Sequence, residues 1–521
     1  MTPLPAPQRV AAVLLLALQS VWGATAEAPR YFAIHVVDAE TGRGVPLVEL
    51  RTTFNARYWT DSHGIAAFFE PGLMGQRVFF HVASHGYEFR KDGFGFAGTA
   101  LEVTEGGTAQ IRIQRRNIAE RLYRVTGLGI YRDSVLVGRP APIRQALANA
   151  RVAGQDSVMA APWRGRVYWF WGDTNRPAHP LGLFRVSGAT SLLPGQGGLA
   201  PEVGIDLEYF VGQDGFSRPM CPGSEPGPVW IEGLATVPDE AGRERLVARY
   251  TRMKDLSEML EHGLVVFDEE KEEFQKRRAF DLGQPWRCPR GHPVRWREHG
   301  VEYLLFPTPF ATVRVRAQLE ALAEPARYEA FSCLAPGSRY AKGKSEVDRD
   351  AAGKLVWGWK AGADPITAAQ ERELIAAGRI QPEEARYQPR DADTREPIEL
   401  HSGSIHWNEY RKRWIMIAVQ SYGSSMLGEV WFLEAEGPTG PWLWAKKIVT
   451  HDKYSFYNPA HHPFFDQHGG RVIYFEGTYT STFSGNSDPT PWYDYNQIMY
   501  RLDLSDPRLP QPLGPGRAEP R

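Results

Sequence analysis

Along the last two-thirds of the chain, one arrangement of apolar and polar positions returns five times. A short strand with a polar residue at its inner end is followed by a polar turn, then by a second strand rich in aromatic and β-branched residues. The copies are GQDSVMAAPWRGRVYWFWGDT from Gly154, GPVWIEGLATVPDEAGRERLVARYTR from Gly227, RGHPVRWREHGVEYLLFP from Arg290, HSGSIHWNEYRKRWIMIAVQ from His401 and YNPAHHPFFDQHGGRVIYFEGTY from Tyr457. Alternating runs bounded by Gly, Pro, Asn and Asp predict strands. Repeats spaced by roughly fifty residues or more, with several strands each, predict the blades of a β-propeller. A propeller points its innermost strands at one axis, so polar residues far apart in sequence meet in a single hollow.

Residues 30–115 alternate in shorter runs. YFAIHVVDAETGRGVPLVELRT turns at Glu40-Thr41-Gly42 and WTDSHGIAAFFEPG turns at Asp61-Ser62-His63-Gly64. With VFFHVASHGYEF and AQIRIQR they predict a small β-sandwich. The expected fold is all-β: a small N-terminal β-sandwich, a connector over 116–148, then a five-bladed β-propeller over 149–504. Between blades, ITAAQERELIAAGRI has helical spacing and good helix formers. It predicts a short helical insertion within 364–399 that lies over one mouth of the channel. The Pro-rich tail, 505–521, reads as disordered.

The first residues read as a secretory signal: Arg9, an apolar run from Val10 to Leu18, and a small-x-small site at Ala24-Thr25-Ala26. The apolar run is too short to cross a bilayer and no later run reads as a span, so cleavage near residue 26 gives a secreted or periplasmic protein with no membrane span in its mature part. A net charge of −1 gives no electrostatic case for nucleic acid or anionic membrane as the main partner. The 16 Trp, 21 Tyr and 25 Phe suit blade interfaces and sugar-stacking surfaces. Cys221, Cys288 and Cys333 allow one bridge but no disulfide framework, and no CxxC pair supports a zinc or redox site. GSRYAKGKS has one residue too many for a phosphate loop, and neither G-x-S-x-G nor H-E-x-x-H occurs. Oligomeric state is not legible.

Chemistry concentrates at the inner strands. Asp156 opens the first and Asp173 ends the strand after it, so a hairpin brings both carboxylates to one end of the blade. Glycoside hydrolysis needs two carboxyl groups across the scissile bond, one of them protonated near neutral pH. Trp169, Phe170 and Trp171 beside Asp173 would help by desolvation. Glu232, in VWIEGLAT, is the candidate carboxylate of the second blade. His292, His401 and His461 each open a later inner strand, and three imidazoles around an axis can ligate a metal or bind sugar hydroxyls. Arg252, with Arg287, Arg290 and Arg295, can hold a carboxylate through a bidentate fork. Tyr457, Asn458 and Glu476 fall at the fifth mouth position, and Trp230 and Trp407 can stack on a sugar ring.

Two resemblances follow from these motifs. VVDAETGRGVP…TDSHGIAAF, with its D-x-x-T-G and T-D-x-x-G turns, resembles the transthyretin-like, carboxypeptidase-regulatory sandwich module, which implies a non-catalytic role. GQD followed by GRVYWFWGDT resembles the opening of the five-bladed propeller glycosidases of the arabinanase, xylosidase and invertase group. It is closest to the G-D-T propeller family with arabinan-degrading members. GEVWFLEAEGPTGPW and NQIMYRLDL resemble the blade endings of that group. The resemblance implies Asp156 as base or nucleophile. It places the general acid on a Glu of a later blade, where the third strand here carries His292, leaving Asp173 and Glu232 to compete. It also implies a His near the axis associated with a central ion, commonly calcium; the hydrolytic chemistry itself requires no cofactor.

The leading expectation is a secreted glycoside hydrolase acting on a polysaccharide or oligosaccharide. Two alternatives remain open at this level. A polysaccharide lyase would use His461 or Tyr457 as base with Arg neutralising a uronate. A carbohydrate-binding propeller would bind without turnover.

Overall fold

In a computed structural model of the chain, residues 30–510 are described except 222 and 224, and the side chains of 181–183 are left aside. The leader and positions 511–521 of the tail lie outside the described residues. Strands dominate and helices are few, so the chain is all-β. Among the described residues no helix is long and apolar enough to cross a membrane.

Two four-stranded sheets come first. Phe32–Asp38 pairs antiparallel with Ile65–Phe68 and parallel with Thr108–Arg115. Glu49–Thr52 lies between Arg57–Trp59 and Gln76–Ala83, with Gly98–Val103 beyond. Alternation gives each sheet one apolar face, and Phe32, Ile34, Val36, Leu50, Phe80 and Ile111 fill the space between them.

Five sheets of four or five strands follow in chain order, antiparallel except where Arg390–Asp391 runs parallel to Trp444–Val449 in the fourth. The first holds Met159–Trp163, Arg166–Trp171, Ser187–Leu192 and Glu208–Tyr209. A small three-stranded sheet, led by Gly154–Gln155, accompanies it. The second runs from Val229–Pro238 to Glu273–Ala279, the third from Val294–Glu298 to Gly358–Lys360, and the fourth from Leu400–Asn408 outward. The fifth holds Ser455–His461, Val472–Thr480 and Asn496–Asp503, completed by Glu120–Arg124 from far upstream. Residues 116–148, read from the sequence as a connector, thus include a strand of the last sheet. Its five residues are all buried, and they cover an edge that would otherwise expose unpaired backbone.

Each sheet shares an apolar cluster with the next. Phe170 and Leu246 join the first to the second, Val247 and Leu304 the second to the third, and Leu305 and Met416 the third to the fourth. Ile417 and Ile473 join the fourth to the fifth, and a last cluster of Leu122, Trp169 and Tyr474 joins the fifth back to the first. Leu122→Ala is therefore expected to cost about 2–4 kcal/mol, a core truncation at a position with no exposed surface. Urea unfolding followed by tryptophan fluorescence measures it.

The predicted insertion forms the helix Ala368–Ala376, capped by Thr367 and Gln370 in a reciprocal capping box. It packs through Leu374 on Cys333, Leu334 and Leu355, beside the outermost strands of the third sheet. The buried Glu371 carboxylate satisfies the backbone N–H groups of Arg386 and Tyr387 at 2.6 and 2.9 Å. All three cysteines are buried and free.

Candidate active site

A local break in or just before the first strand of a sheet places the polar residues. Left-handed backbone occurs at Ser157 (φ 55°), Gly233 (63°), Gly291 (85°) and Asn458 (49°). Each directly follows a functional candidate: Asp156, Glu232, Arg290 and Tyr457. In the fourth sheet the register slips at His401 instead. At Gly233, Asn458 and His401 the ladder shifts register, and such bulges re-aim the neighbouring side chain; Ser157 and Gly291 lie just before their strands.

Asp156 is the focus. Its Oδ1 accepts the backbone N–H of Asp173 at 2.8 Å and its Oδ2 accepts the Tyr457 hydroxyl at 2.7 Å. The Tyr495 hydroxyl is a further donor to the same carboxylate. Gly172 is required beside it, since a Cβ there would lie 2.4 Å from Asp156 Oδ1. Burial, and then the Asp173 charge, push the Asp156 carboxyl up to about 6, against the pull of its donors. Asp173 Oδ1 accepts the Trp230 indole N–H at 2.8 Å; burial raises this carboxyl and the indole opposes the rise. Glu232, one residue beyond Ile231 on the Trp230 strand, stands 3.6 Å from Arg290 Nε. Burial raises it too, opposed by the Arg290 charge and the Gly291 N–H.

The sign of the Asp156 shift has a consequence for stability. Its ordinary value is 3.8, so the folded chain holds a proton that the unfolded chain releases between that pH and about 6. Ionisation then costs folded-state stability as pH rises, in full above about 6. Asp156→Asn removes that charge and is expected to raise the melting temperature at pH 7.5 by about 1–2 °C. The gain should vanish at pH 3.5, where the native carboxyl is already neutral; scanning calorimetry at the two pH values checks it.

The histidines divide. His292 is lowered to about 4 by burial and by His462, and His406 is lowered further by burial and the neighbouring imidazoles, so both are neutral at pH 7. His406 and His461 rings meet edge to face at 5.0 Å. His461 is buried and its Nε2 is bonded to Asp466 Oδ1 at 2.8 Å. His462 is bonded the same way to the fully buried Glu476, at 2.8 Å. His401 is exposed, with Nδ1 at 3.2 Å from Ser402 Oγ. From there Ser402 donates to Asn458 at 3.0 Å, and Asn458 donates to Ser157 beside Asp156 at 2.8 Å.

Asp156, Asp173, Trp230 and Tyr457 therefore come together, Glu232 is carried on the Trp230 strand, and Asn458 supports the first strand. Three expectations do not fit this geometry. Glu476 and His461 are out of a ligand's reach, because each is buried and held by an internal partner. Arg252 is spent on Glu225 and Glu261, at 2.7 and 3.3 Å. His292, His401 and His461 are not gathered as ligands: among the described residues no group of three or more His, Cys, Asp or Glu converges as a metal site. Trp407 is exposed and donates to Glu409 at 2.7 Å. Tyr495 is not marked out by the sequence pattern. Tyr495 stands in the aromatic run WYDY of a long turn, whose path alternation does not predict.

No family model matches the chain, and no curated protein matches its sequence. Solved structures do match. One is a GH43 β-1,3-galactosidase with galactodeoxynojirimycin, at 10% identity over 70% of this chain and 93% of that one, TM-score 0.35. Another is the exo-β-1,3-galactanase of Phanerochaete chrysosporium with galactose, at 10% identity over 74% and 65%, TM-score 0.33. A third is an exo-1,5-α-L-arabinanase from a bovine ruminal metagenomic library, at 10% identity over 68% and 94%, TM-score 0.33. At that identity and overlap the likeness says nothing of substrate or mechanism.

Proposed function

We propose that the chain is an exported glycoside hydrolase built on a five-bladed propeller, with the N-terminal pair of sheets as a transthyretin-like module. Export rests on the leader sequence. The propeller reading is supported by the five shared apolar clusters, the last of which returns from the fifth sheet to the first. One observation carries the catalytic reading. Tyr457 reaches across 301 residues to Asp156, whose neighbour Asp173 is held by Trp230 of the next sheet. Side chains this remote in sequence converge on carboxyl groups raised by burial, Asp156 beside Asp173 and Glu232 on the Trp230 strand, which is the setting in which acid and base roles separate at neutral pH.

In this reading Asp156 is the base or nucleophile. Its ionised form accepts the proton of the attacking water, or attacks the anomeric carbon directly. Glu232 is the acid: its proton goes to the glycosidic oxygen as the bond to the anomeric carbon breaks. Asp173 is a positioning residue. The Trp230 N–H favours its ionised form, and its charge keeps the Asp156 carboxyl basic. Trp230 and His401 contact the sugar at the mouth, and neutral His292 supplies a hydrogen bond deeper in. The lyase alternative has less support, because Arg252 is paired with Glu225 and Glu261 and the Tyr457 hydroxyl donates to Asp156.

The test is a screen of purified protein on arabinan, galactan, fructan and uronate polymers. Release of reducing ends from a neutral polymer is the expected result, and NMR of the anomer first released separates base from nucleophile. An ultraviolet-absorbing unsaturated product, or no turnover of any polymer, would count against hydrolysis.

A further inference from the structure

The N-terminal sheets meet the fifth sheet along a cleft of about 490 Å³, within the range of ligand pockets. Glu49, Arg57 and Trp59 line it from one side, and Asp452, Lys453 and Tyr454 from the other. Asn486 and Asp488, on the turn between Val472–Thr480 and Asn496–Asp503, close one end. We propose that this cleft is a second saccharide site, one that binds a neutral glycan chain without cleaving it.

Four features carry the assignment. First, the walls are fixed to each other. The Tyr493 hydroxyl accepts Leu47 N–H at 3.1 Å and donates to Thr60 O at 2.7 Å. His85 Nε2 meets the Tyr479 hydroxyl at 2.9 Å, and Arg57 pairs with Asp488 at 2.6 Å. Walls held this way keep their spacing, so binding orders side chains and little of the backbone. Second, Trp59 packs against the core formed with Leu47, Tyr454 and Tyr493 and also lines the cleft. An indole fixed there offers the apolar surface on which a sugar ring rests. Third, polar capacity is unspent: the Asp452 carboxylate and Lys453 ammonium have no hydrogen-bond or ion-pair partner among the described residues. A carboxylate and an ammonium side by side suit vicinal hydroxyls, one accepting and one donating. Fourth, the signs nearly cancel, with three carboxylates against two cations in the lining. That composition favours a neutral ligand over an anionic one.

The site is tied to the carboxylates by one segment. The turn over residues 481–495 lines the cleft with Asn486 and Asp488, packs Phe483 against Tyr457 with ring centres 5.2 Å apart, and sends Tyr495 to Asp156. A polymer seated in the cleft is thereby held along the same loop that supports Asp156. Binding here does not require the hydrolase reading, and the two fail separately.

Affinity electrophoresis of the full chain through gels containing arabinan, galactan, inulin or polygalacturonate tests it. The cleft variants are Trp59→Ala and the exposed double variant Asp452→Ala with Lys453→Ala, which removes no internal contact and should keep the wild-type melting temperature. The expected result is retardation by a neutral polymer, weakened about fivefold or more in both cleft variants, with turnover of a short aryl glycoside unchanged. Asp156→Asn should be retarded like wild type. Cleft-dependent retardation without turnover of any substrate would remove the hydrolase and leave the cleft standing. Equal retardation of both cleft variants and wild type overturns the inference, as does retardation by polygalacturonate alone or by no polymer.

Discussion

Asp156→Asn is expected to lower kcat/KM on the best polymer by about 10³–10⁴-fold, the upper part of the range for removing a general base. The substitution is nearly isosteric. Asparagine Oδ1 can still accept the Asp173 N–H, and its amide can donate to the Tyr457 oxygen, so the surrounding contacts survive in altered polarity. What disappears is the capacity to take a proton or form an ester. Since the variant should also melt at or above the wild-type temperature at neutral pH, a loss of activity cannot be assigned to unfolding. The pH profile sharpens the test. The base works ionised, so wild-type kcat/KM should rise through about pH 6. Tyr457→Phe removes a donor that favours the ionised form, so its acid limb should move to higher pH and its activity should fall more at pH 6 than at pH 8. Full activity in Asp156→Asn would remove Asp156 from the chemistry.

Several residues of the candidate site are legible in the sequence because they sit at or near the start of an alternating strand. Glu232, Arg290 and Tyr457 precede Gly233, Gly291 and Asn458, types that tolerate left-handed backbone, whereas Ser157 after Asp156 carries no such mark. The alternating strands that carry them are equally plain. Pairing partners are less so. The strand Glu120–Arg124 looks like a connector because nothing local distinguishes a strand that completes a sheet almost 400 residues later. Charge satisfaction is not local either. Arg252 and Glu476 have the chemistry expected of ligand-binding groups, yet Glu261 and His462 occupy them, and only packing decides which polar residues are left free. The imidazoles erred in the same way: regular spacing along the chain predicted convergence, whereas His461 turns to Asp466 and His401 to solvent.

Glu232→Gln should separate the acid role from the base role through the leaving group. A natural glycosidic oxygen leaves poorly and needs a proton, so the loss on polymer should reach about 10³-fold. An aryl glycoside with an acidic phenol departs without help, so its bond-breaking step should be nearly unchanged. The variant should also lose the alkaline limb of the profile, because that limb reports deprotonation of the acid. Arg290 supplies an independent check. Its guanidinium opposes the burial that raises the Glu232 carboxyl, so Arg290→Met should lift that carboxyl and extend activity to higher pH. Asp173 competes for the same role, since burial raises its carboxyl as well, but its Oδ1 is held by the Trp230 N–H, which opposes that rise and ties the side chain to a positioning role. Asp173→Asn should therefore lower turnover of both substrates by a similar factor. If the leaving-group dependence followed Asp173 and not Glu232, the acid would have to be reassigned to the first sheet, and the two carboxyl groups of the reaction would then be the adjacent pair.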